Sequence, residues 1–433
     1  MWDEQARRWL VHRRDILRQL AALGVWAISG PVKGQEGIPE GAVRPLFTVP
    51  AQSVSPYSER SKYAKTHRYL AQTPTQLSSW SYTPLEHLQG PITHPGLHFE
   101  RHHAGIPDID PEDYRLLIHG MVDKPRMYTL SDLMRFPATS VLLKIECSGN
   151  SLSEYGPLNP NLTAGQIHGL VSGSVWTGVR LSTLLREVGI KPGAKWIIAE
   201  GGDAAAMTRS IPLEKAFKDV LVAYLQNGDV LYPPQGFPVR LIVPGYEGNM
   251  HVKWLRRLEV TDTPAYSREE TSKYTDLLPD GRARIFTYEM DVKSVITFPS
   301  GGQVLPDKGF WEIRGYAWSG RGRIKRVEVS TDGGKTWQIA TLDEPVLPIA
   351  LTQFRLPWKW NGEETVIMSR AVDELDLAQP SRAELLKART PYTFYHYNAI
   401  QAWHIDKEGR VSNIHIGGDL AWELKDSGRC GLS

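Results

Sequence analysis

Cys147 lies in Lys144-Ile145-Glu146-Cys147-Ser148-Gly149-Asn150 and is one of two cysteines among 433 residues. The run Val141 to Ile145 before it reads as a strand. Alternation puts Cys147 on the face of Val141, Leu143 and Ile145, the more apolar of the two. Ser148-Gly149-Asn150 is turn chemistry, so the thiol is expected to face inward where a buried strand gives way to a loop. Two roles fit that place: a small buried hydrophobe, or a thiolate that ligates a metal or attacks a substrate.

Other residues could serve an anion. Arg240 interrupts the apolar strand Pro238-Val239-Arg240-Leu241-Ile242-Val243. A buried guanidinium needs an anion, either a carboxylate in a structural salt bridge or a phosphate that fits its planar fork. Asp203 follows Gly201-Gly202 at a strand end, as a turn residue or a ligand contact. His251-Val252-Lys253 puts two polar side chains on one face beside Trp254, which makes an exposed strand edge or the wall of an anion site. His94, His98, His102 and His103 suggest a metal, but Pro95 and Gly96 break the helix that i, i+4 ligation needs, which argues against zinc.

The totals narrow the chemistry. Net charge is +2 with both signs interspersed, so nucleic acid and anionic lipid are not indicated as main partners. Two cysteines make no disulfide framework and no four-cysteine iron–sulfur cluster, and without Cys-x-x-Cys-His there is no covalent haem. No Gly-x-Gly-x-x-Gly opens a strand-to-helix turn. Gly334-Lys335-Thr336 ends like a phosphate-binding loop, but Val329 stands where that motif needs glycine. If electrons move, they must pass to a partner.

Several elements can position these residues. Tyr114 to Gly120 reads as a strand and Leu130 to Phe136 as a short helix stopped by Pro137. Leu181, Leu184, Leu185 and Val188 form one helix face that ends at Gly189. Trp196 to Glu200, Val239 to Val243 and Trp254 to Val260 read as strands. Leu221 to Leu231 reads as a hairpin about Asn227-Gly228. After Pro264 short strands take over: Ile313 to Trp318, Ile324 to Ser330, Trp337 to Leu342, Thr365 to Asp373 and Val411 to Ile416. Strands at that spacing predict a β-sandwich.

The first thirty residues stand apart. Arg13-Arg14-Asp15-Ile16-Leu17-Arg18, the mild apolar run Gln19 to Ile28 and Ala27-Ile28-Ser29 have the parts of a twin-arginine export signal; an amphipathic basic helix is the alternative. The apolar run is too short for a membrane span, which takes roughly 20 residues. Residues 31–98, rich in Pro, Ser, Thr and Gln, read as extended wrapping chain.

Taken together, Phe99-x-Arg101-x-His103, Cys147-Ser148-Gly149-Asn150, Glu200-Gly201-Gly202-Asp203, Gly236-Phe237-Pro238-Val239-Arg240 and His251-Val252-Lys253-Trp254-Leu255 resemble, in order and spacing, the sulfite oxidase family. The resemblance covers about residues 95–405. It implies a molybdenum–molybdopterin cofactor with a bis-oxo metal and a single pterin, no haem in this chain, and Cys147 as the only protein ligand to the metal. It further implies cofactor contacts from Phe99, Arg101, His103, Asp203, Gln235, Arg240, His251 and Lys253, with Gln235 where vertebrate members have histidine. Ser267 to Tyr274 keeps the family's spacing, which implies Tyr274 as the active-site phenol and Arg101 as the arginine of the substrate-anion pocket.

Two departures bear on the substrate. Animal free-sulfite oxidases carry two more arginines around the oxyanion, at positions that match Leu152 and His396 here. Losing guanidinium groups weakens the hold on a small dianion. Gly169-Leu170-Val171-Ser172, Trp176-Thr177-Gly178-Val179, Tyr224-Leu225-Gln226-Asn227-Gly228, Glu247-Gly248-Asn249-Met250 and the stretch Glu270 to Gly281 are similar to the sulfane dehydrogenase branch, the molybdenum-carrying polypeptides of bacterial Sox systems. That branch implies a periplasmic enzyme, exported folded, that oxidises sulfane sulfur on a carrier protein with oxygen from water. Its electrons go to a c-type cytochrome subunit. A sulfite:cytochrome c oxidoreductase acting on free sulfite is the alternative.

The expected fold class is α+β: a mixed α/β molybdopterin-binding domain over 99–264, followed by an immunoglobulin-like β-sandwich dimerisation domain over 265–416. A signal peptide over 1–30, the extended segment 31–98 and a tail over 417–433 complete the chain. The family resemblance implies a homodimer through the sandwich, or a heterotetramer with the cytochrome, with no nucleic acid and no membrane span.

Overall fold

The computed structural model describes residues 54–417 except 74, 279 and 390–392. The arginine-rich leader, residues 31–53 of the extended segment and Cys430 lie outside the described residues. Three short strands come first, β1 (Tyr69–Leu70), β2 (Trp80–Tyr82) and β3 (Glu100–Arg101), in one antiparallel sheet. β4 (Leu116–Gly120) and β5 (Arg126–Tyr128) begin a second sheet, and β6 (Ala138–Glu146) with β7 (Val171–Arg180) a third. β8 (Trp196–Gly201) and β9 (Thr208–Pro212) belong to the second; β10 (Leu221–Gln226), β11 (Asp229–Val230) and β12 (Arg240–Ile242) belong to the third. β13 (Leu255–Thr261) completes the second sheet in the order β5-β4-β13-β8-β9, parallel to β4 and antiparallel to β8.

Short helices cover these sheets. α1 (Leu130–Met134) starts on a capping box between Thr129 and Asp132. It stops two residues before the expected Phe136, because a residue preceding proline avoids the helical region. α2 (Ala164–His168) has the same device in Thr163 and Gln166. α3 (Leu181–Val188) buries Leu181, Leu184, Leu185 and Val188 completely, each worth roughly 1.5–3 kcal/mol of transfer free energy, and ends where Gly189 takes φ +68°. Between β10 and β11, Asn227 and Gly228 both take positive φ, 53° and 83°, as a two-residue hairpin turn requires.

After a small hairpin, β14 (Asp276–Leu277) with β15 (Ala283–Arg284), the chain builds an immunoglobulin-like β-sandwich. One sheet holds β16 (Lys293–Phe298), β17 (Gly309–Trp318), β20 (Thr341–Leu342) and β21 (Thr352–Trp360); the other holds β18 (Ile324–Ser330), β19 (Gln338–Ile339), β22 (Thr365–Asp373), β23 (Ala402–Ile405) and β24 (Val411–Ile414). The single strand expected over Trp337 to Leu342 is two. Ala340 donates to Val327 O between them, and the chain passes from one sheet to the other at that point. β17 is longer than expected, and β21 was not foreseen.

The two domains share a core. Leu85, Ala164, Ile167 and Val171 pack with Trp318, Trp403 and Phe354 of the sandwich. Alternation along β6 suggests a polar outward face at Lys144 and Glu146, yet both are only 2% exposed, because the sandwich covers that face. Glu146 accepts hydrogen bonds from Lys144 Nζ (2.9 Å), Asn150 Nδ2 (3.0 Å) and Trp318 Nε1 (2.7 Å), with Lys293 Nζ 4.0 Å away. Among the described residues no helix is long and apolar enough to cross a membrane.

Candidate active site

β6 delivers Cys147 to the wall of a cavity that it lines together with Ile145, Gly248 and Asn249. Its backbone N–H donates to Leu170 O (2.9 Å) and its carbonyl accepts from Asn150 N (2.9 Å), so the turn after the strand is closed on both sides. The side chain is half-buried and packs beside Leu143 and Ile145. Burial pushes the thiol's pKa up, while a hydrogen bond from Gly149 and the charge of Arg101 act the other way.

The remaining nine residues singled out from the sequence line the same cavity. Arg240 in β12 is 4% exposed; its terminal nitrogens donate to Gln235 O (2.8 Å) and His251 O (3.2 Å), and the guanidinium stands 4.8 Å from the centre of the Trp176 ring. Burial pushes its pKa down to about 9. Lys253, enclosed by Arg101 O (3.1 Å), Pro234 O (3.0 Å) and His102 Nδ1 (3.0 Å), is held well below the usual lysine range by burial and by Arg240. Gln235 donates to Phe99 O (3.1 Å). His251 Nδ1 accepts from Val243 N (3.3 Å), which leaves the proton on Nε2, facing Tyr246 O. Asp203, 8% exposed, accepts from Met207 N (3.4 Å).

At the other end of the cavity the Tyr274 hydroxyl and His103 Nε2 share a hydrogen bond of 2.9 Å. Burial, reinforced by Arg101, pushes His103 down to about 2; burial raises Tyr274 far above its ordinary value, so both are neutral. Trp254 and Tyr274 hold φ of +51° and +53°, strained values for aromatic residues that aim both side chains at the cavity. Arg101 reaches His102 O and Ser78 Oγ and lies 5.4 Å from the Trp80 ring.

These residues fit a large anionic group. Arg240 and Lys253 are buried cations whose recorded contacts are carbonyls, an imidazole and rings, with no carboxylate in hydrogen-bond contact. Arg240 Nε, Asn249 Oδ1 and His98 Nε2 have no hydrogen-bond partner among the described residues. Cations without counter-ions are costly unless an anion joins them, and a polyanion with hydrogen-bonding ring atoms meets that need. Gly236, at φ +107°, brings its loop within contact of Lys253 as only glycine can. A half-buried thiol at one end of such a cavity suits a soft metal ligand.

The two positions of the missing arginines are also visible. Leu152 is 42% exposed, and its Cδ2 and Cys147 Sγ both border Gly149. His396 is buried; its backbone N–H donates to Ser148 O (2.8 Å) and its Nε2 lies 3.3 Å from Glu247 Oε2. The sequence singles out Glu247 and Asn249 only within the motif Glu247-Gly248-Asn249-Met250 and gives neither a site role; the Asn249 amide donates to Ser148 Oγ (3.2 Å), and Glu247 is buried in a 2.9 Å pair with Arg209. A charged residue inside the strand Thr208 to Pro212 was a signal for Arg209. Of the four clustered histidines, His94 caps a turn by accepting from Gly96 N, and His102 serves Lys253.

Comparison with known proteins agrees with this geometry. Residues 103–269 match the oxidoreductase molybdopterin binding domain, and residues 284–402 the Mo-co oxidoreductase dimerisation domain. The chain is 34% identical to an NADH nitrate reductase of Solanum lycopersicum over 343 residues, 70% of this chain and 38% of that protein. It is 33% identical to one from Arabidopsis thaliana, over 64% of this chain and 34% of that protein. It therefore spans under two fifths of these relatives. The crystal structure of the sulfane dehydrogenase SoxCD from Paracoccus pantotrophus superposes with a TM-score of 0.79 at 44% identity, covering 86% of this chain and 99% of that one.

Proposed function

The chain belongs to the sulfite oxidase family of molybdopterin oxidoreductases, and on that premise we propose that it is a sulfane dehydrogenase subunit, oxidising sulfane sulfur held on a carrier protein and passing electrons to a c-type cytochrome. The observation that carries this reading is the placement of charge around the cavity. Arg240, Lys253 and Arg101 are the arginines and lysine among the lining residues; at the Tyr274 end the guanidinium of Arg209 is paired with Glu247, and a leucine and a tied histidine stand at the places of the other two arginines. Such an end suits sulfur attached to something larger than a free oxyanion. The similarity to SoxCD supports the same reading.

In this reading Cys147 is the thiolate that holds molybdenum, and Phe99, Arg101, His103, Asp203, Gln235, Arg240, His251 and Lys253 hold the pterin. When bound, the molybdenum–molybdopterin supplies two-electron oxidation of sulfur with oxygen taken from water. The protein's share is orientation and charge. The closed turn after Cys147 fixes the sulfur's direction. Arg240 and Lys253 lose their cost of burial when the cofactor's negative charge arrives. Tyr274, neutral and hydrogen-bonded to neutral His103, offers the substrate a hydroxyl that does not add charge to the pocket. Arg101 meets the growing negative charge on the oxidised sulfur. Each oxygen added releases two electrons and two protons, so a sulfane reaches the sulfonate level in three rounds. The twin-arginine segment supports a periplasmic place, and the sandwich a dimer or a heterotetramer with the cytochrome.

The test is cytochrome reduction by the purified holoenzyme with three substrates side by side: carrier-bound sulfane, free sulfite, and nitrate with a reduced dye. Turnover with the carrier and little with the others is expected. Brisk turnover of micromolar sulfite, or of nitrate, contradicts the reading.

A further inference from the structure

His98 lines the cavity directly before Phe99 and is 1% exposed. Its ring is clamped: it stacks on Phe99 with centres 5.1 Å apart at 23°, and it meets the Trp176 ring edge-on at 5.8 Å. Nδ1 lies 2.9 Å from Phe99 O. A carbonyl only accepts, so Nδ1 carries the proton and donates it. Gln235 Nε2 donates to the same oxygen at 3.1 Å, and the Phe99 carbonyl is therefore held twice.

The other nitrogen is left over. Burial, with the charges of Arg240, Lys253 and Arg68, pushes the His98 pKa down to about 3, so the ring is neutral and Nε2 is a bare lone pair. That atom is buried and has no hydrogen-bond partner among the described residues. The neighbouring cations turn elsewhere: Arg240 gives its terminal nitrogens to Gln235 O and His251 O, and Lys253 Nζ meets Arg101 O, Pro234 O and His102 Nδ1. An acceptor left buried and unpaired is costly, and a donor brought in by a ligand removes that cost.

We propose that His98 is a cofactor-binding residue whose Nε2 accepts a hydrogen bond from an N–H of the pterin. This rests on the reading of the cavity as the molybdopterin site. Phosphate oxygens of such a cofactor only accept, and they suit Arg240 and Lys253. Amino and ring N–H groups donate, and they suit a neutral imidazole nitrogen. The lone pair thus selects the edge of the pterin that faces His98.

Two substitutions in the holoenzyme separate the two ring nitrogens. His98→Asn keeps a donor at the place of Nδ1 and nothing at Nε2, whereas His98→Gln brings a carbonyl oxygen to the reach of Nε2. Bound pterin is measured by fluorescence after oxidation and release, per chain at purification and at intervals after dilution. His98→Asn is expected to lose pterin roughly tenfold faster than the parent, and His98→Gln to stay within about threefold of it. An imidazole that only clamps Phe99 gives the reverse order, and one that only holds a buried water gives two variants alike; either result overturns the proposal. Should His98→Asn not fold, His98→Phe keeps the ring contacts and removes both nitrogens, with Gln235 still on Phe99 O. Its apoprotein is expected to melt no lower than the parent apoprotein, because an unpaired acceptor is gone, while its holoenzyme loses pterin roughly tenfold faster. Pterin held as firmly as in the parent overturns the proposal here too. A parent purified without pterin removes the cofactor reading as well, whereas a pterin-bearing parent with unaffected variants removes this proposal alone.

Discussion

The indole N–H of Trp318 donates to the Glu146 carboxylate at 2.7 Å, so a side chain of the sandwich holds the residue that immediately precedes Cys147. Lys293, from the first strand of the same domain, lies 4.0 Å from the other oxygen of that carboxylate and donates to Ser151 Oγ (2.6 Å) and Tyr397 O (2.8 Å). The turn that carries Cys147 is therefore braced by both domains. Glu146→Gln leaves Lys144 and Lys293 buried without their counter-charge and should cost about 3–5 kcal/mol. Trp318→Phe removes one hydrogen bond to a charged group, about 1.5–3 kcal/mol. Thermal and denaturant unfolding check both. Equal stability of parent and Glu146→Gln would show that the carboxylate does not join the domains.

Arg240→Met separates cofactor binding from folding. Among the described residues no carboxylate pairs with the buried guanidinium, so its replacement by an apolar side chain of similar length should change the stability of the apoprotein by no more than about 1 kcal/mol. Bound pterin, measured by fluorescence after oxidation and release, should fall at least tenfold. A variant that retains full pterin content contradicts the role given to Arg240.

Tyr274→Phe removes the hydroxyl shared with His103 and leaves the ring beside Arg209 and Tyr395, 5.3 Å away. The fold and the cofactor content should survive. The kcat with carrier-bound sulfane should drop at least tenfold, in keeping with the loss of a positioned acid–base group. Unchanged kcat would mean that the hydroxyl only packs.

Between the domains, His168 is completely buried, with Ser151 Oγ on Nδ1 (2.6 Å) and Gln401 Oε1 on Nε2 (3.0 Å). Burial, with the charge of Lys293, lowers its pKa well below 6.5. The unfolded chain takes up this proton as pH falls through 6.5 and the folded chain does not. His168 therefore contributes stability that is present above that pH and lost below it, by up to about 1.4 kcal/mol per pH unit. His168→Gln should flatten the fall in stability between pH 6.5 and 5. An unchanged slope contradicts this assignment.

The sequence made parts of this legible for physical reasons. Arg240 stands out because a charge inside an apolar strand is costly, Lys253 because it alternates with His251 on one face beside Trp254, and Cys147 because an apolar strand runs straight into turn residues. The helix at Leu181 to Val188 follows from its period. Other features depend on contacts between distant segments. Lys144 and Glu146 read as an outer face, and nothing local says that Trp318 and Lys293 will cover them. Arg209 and Glu247 lie 38 residues apart on separate elements, so neither residue announces its partner. Strand β21 hides behind Pro357, which is tolerated because β20 pairs only with Phe354 and Arg355 and leaves no ladder bond for Pro357 to make on that side.

The account's central claim is that Cys147 holds molybdenum in this cavity. Molybdenum and pterin per chain, measured in the purified protein and in Cys147→Ser, test it most directly. The account predicts about one of each in the parent. In the variant it predicts a folded protein that keeps its pterin, loses its metal or the metal's sulfur signature in X-ray absorption, and is inactive. A parent without molybdenum, or a variant with the same metal content and the same absorption spectrum, would contradict it.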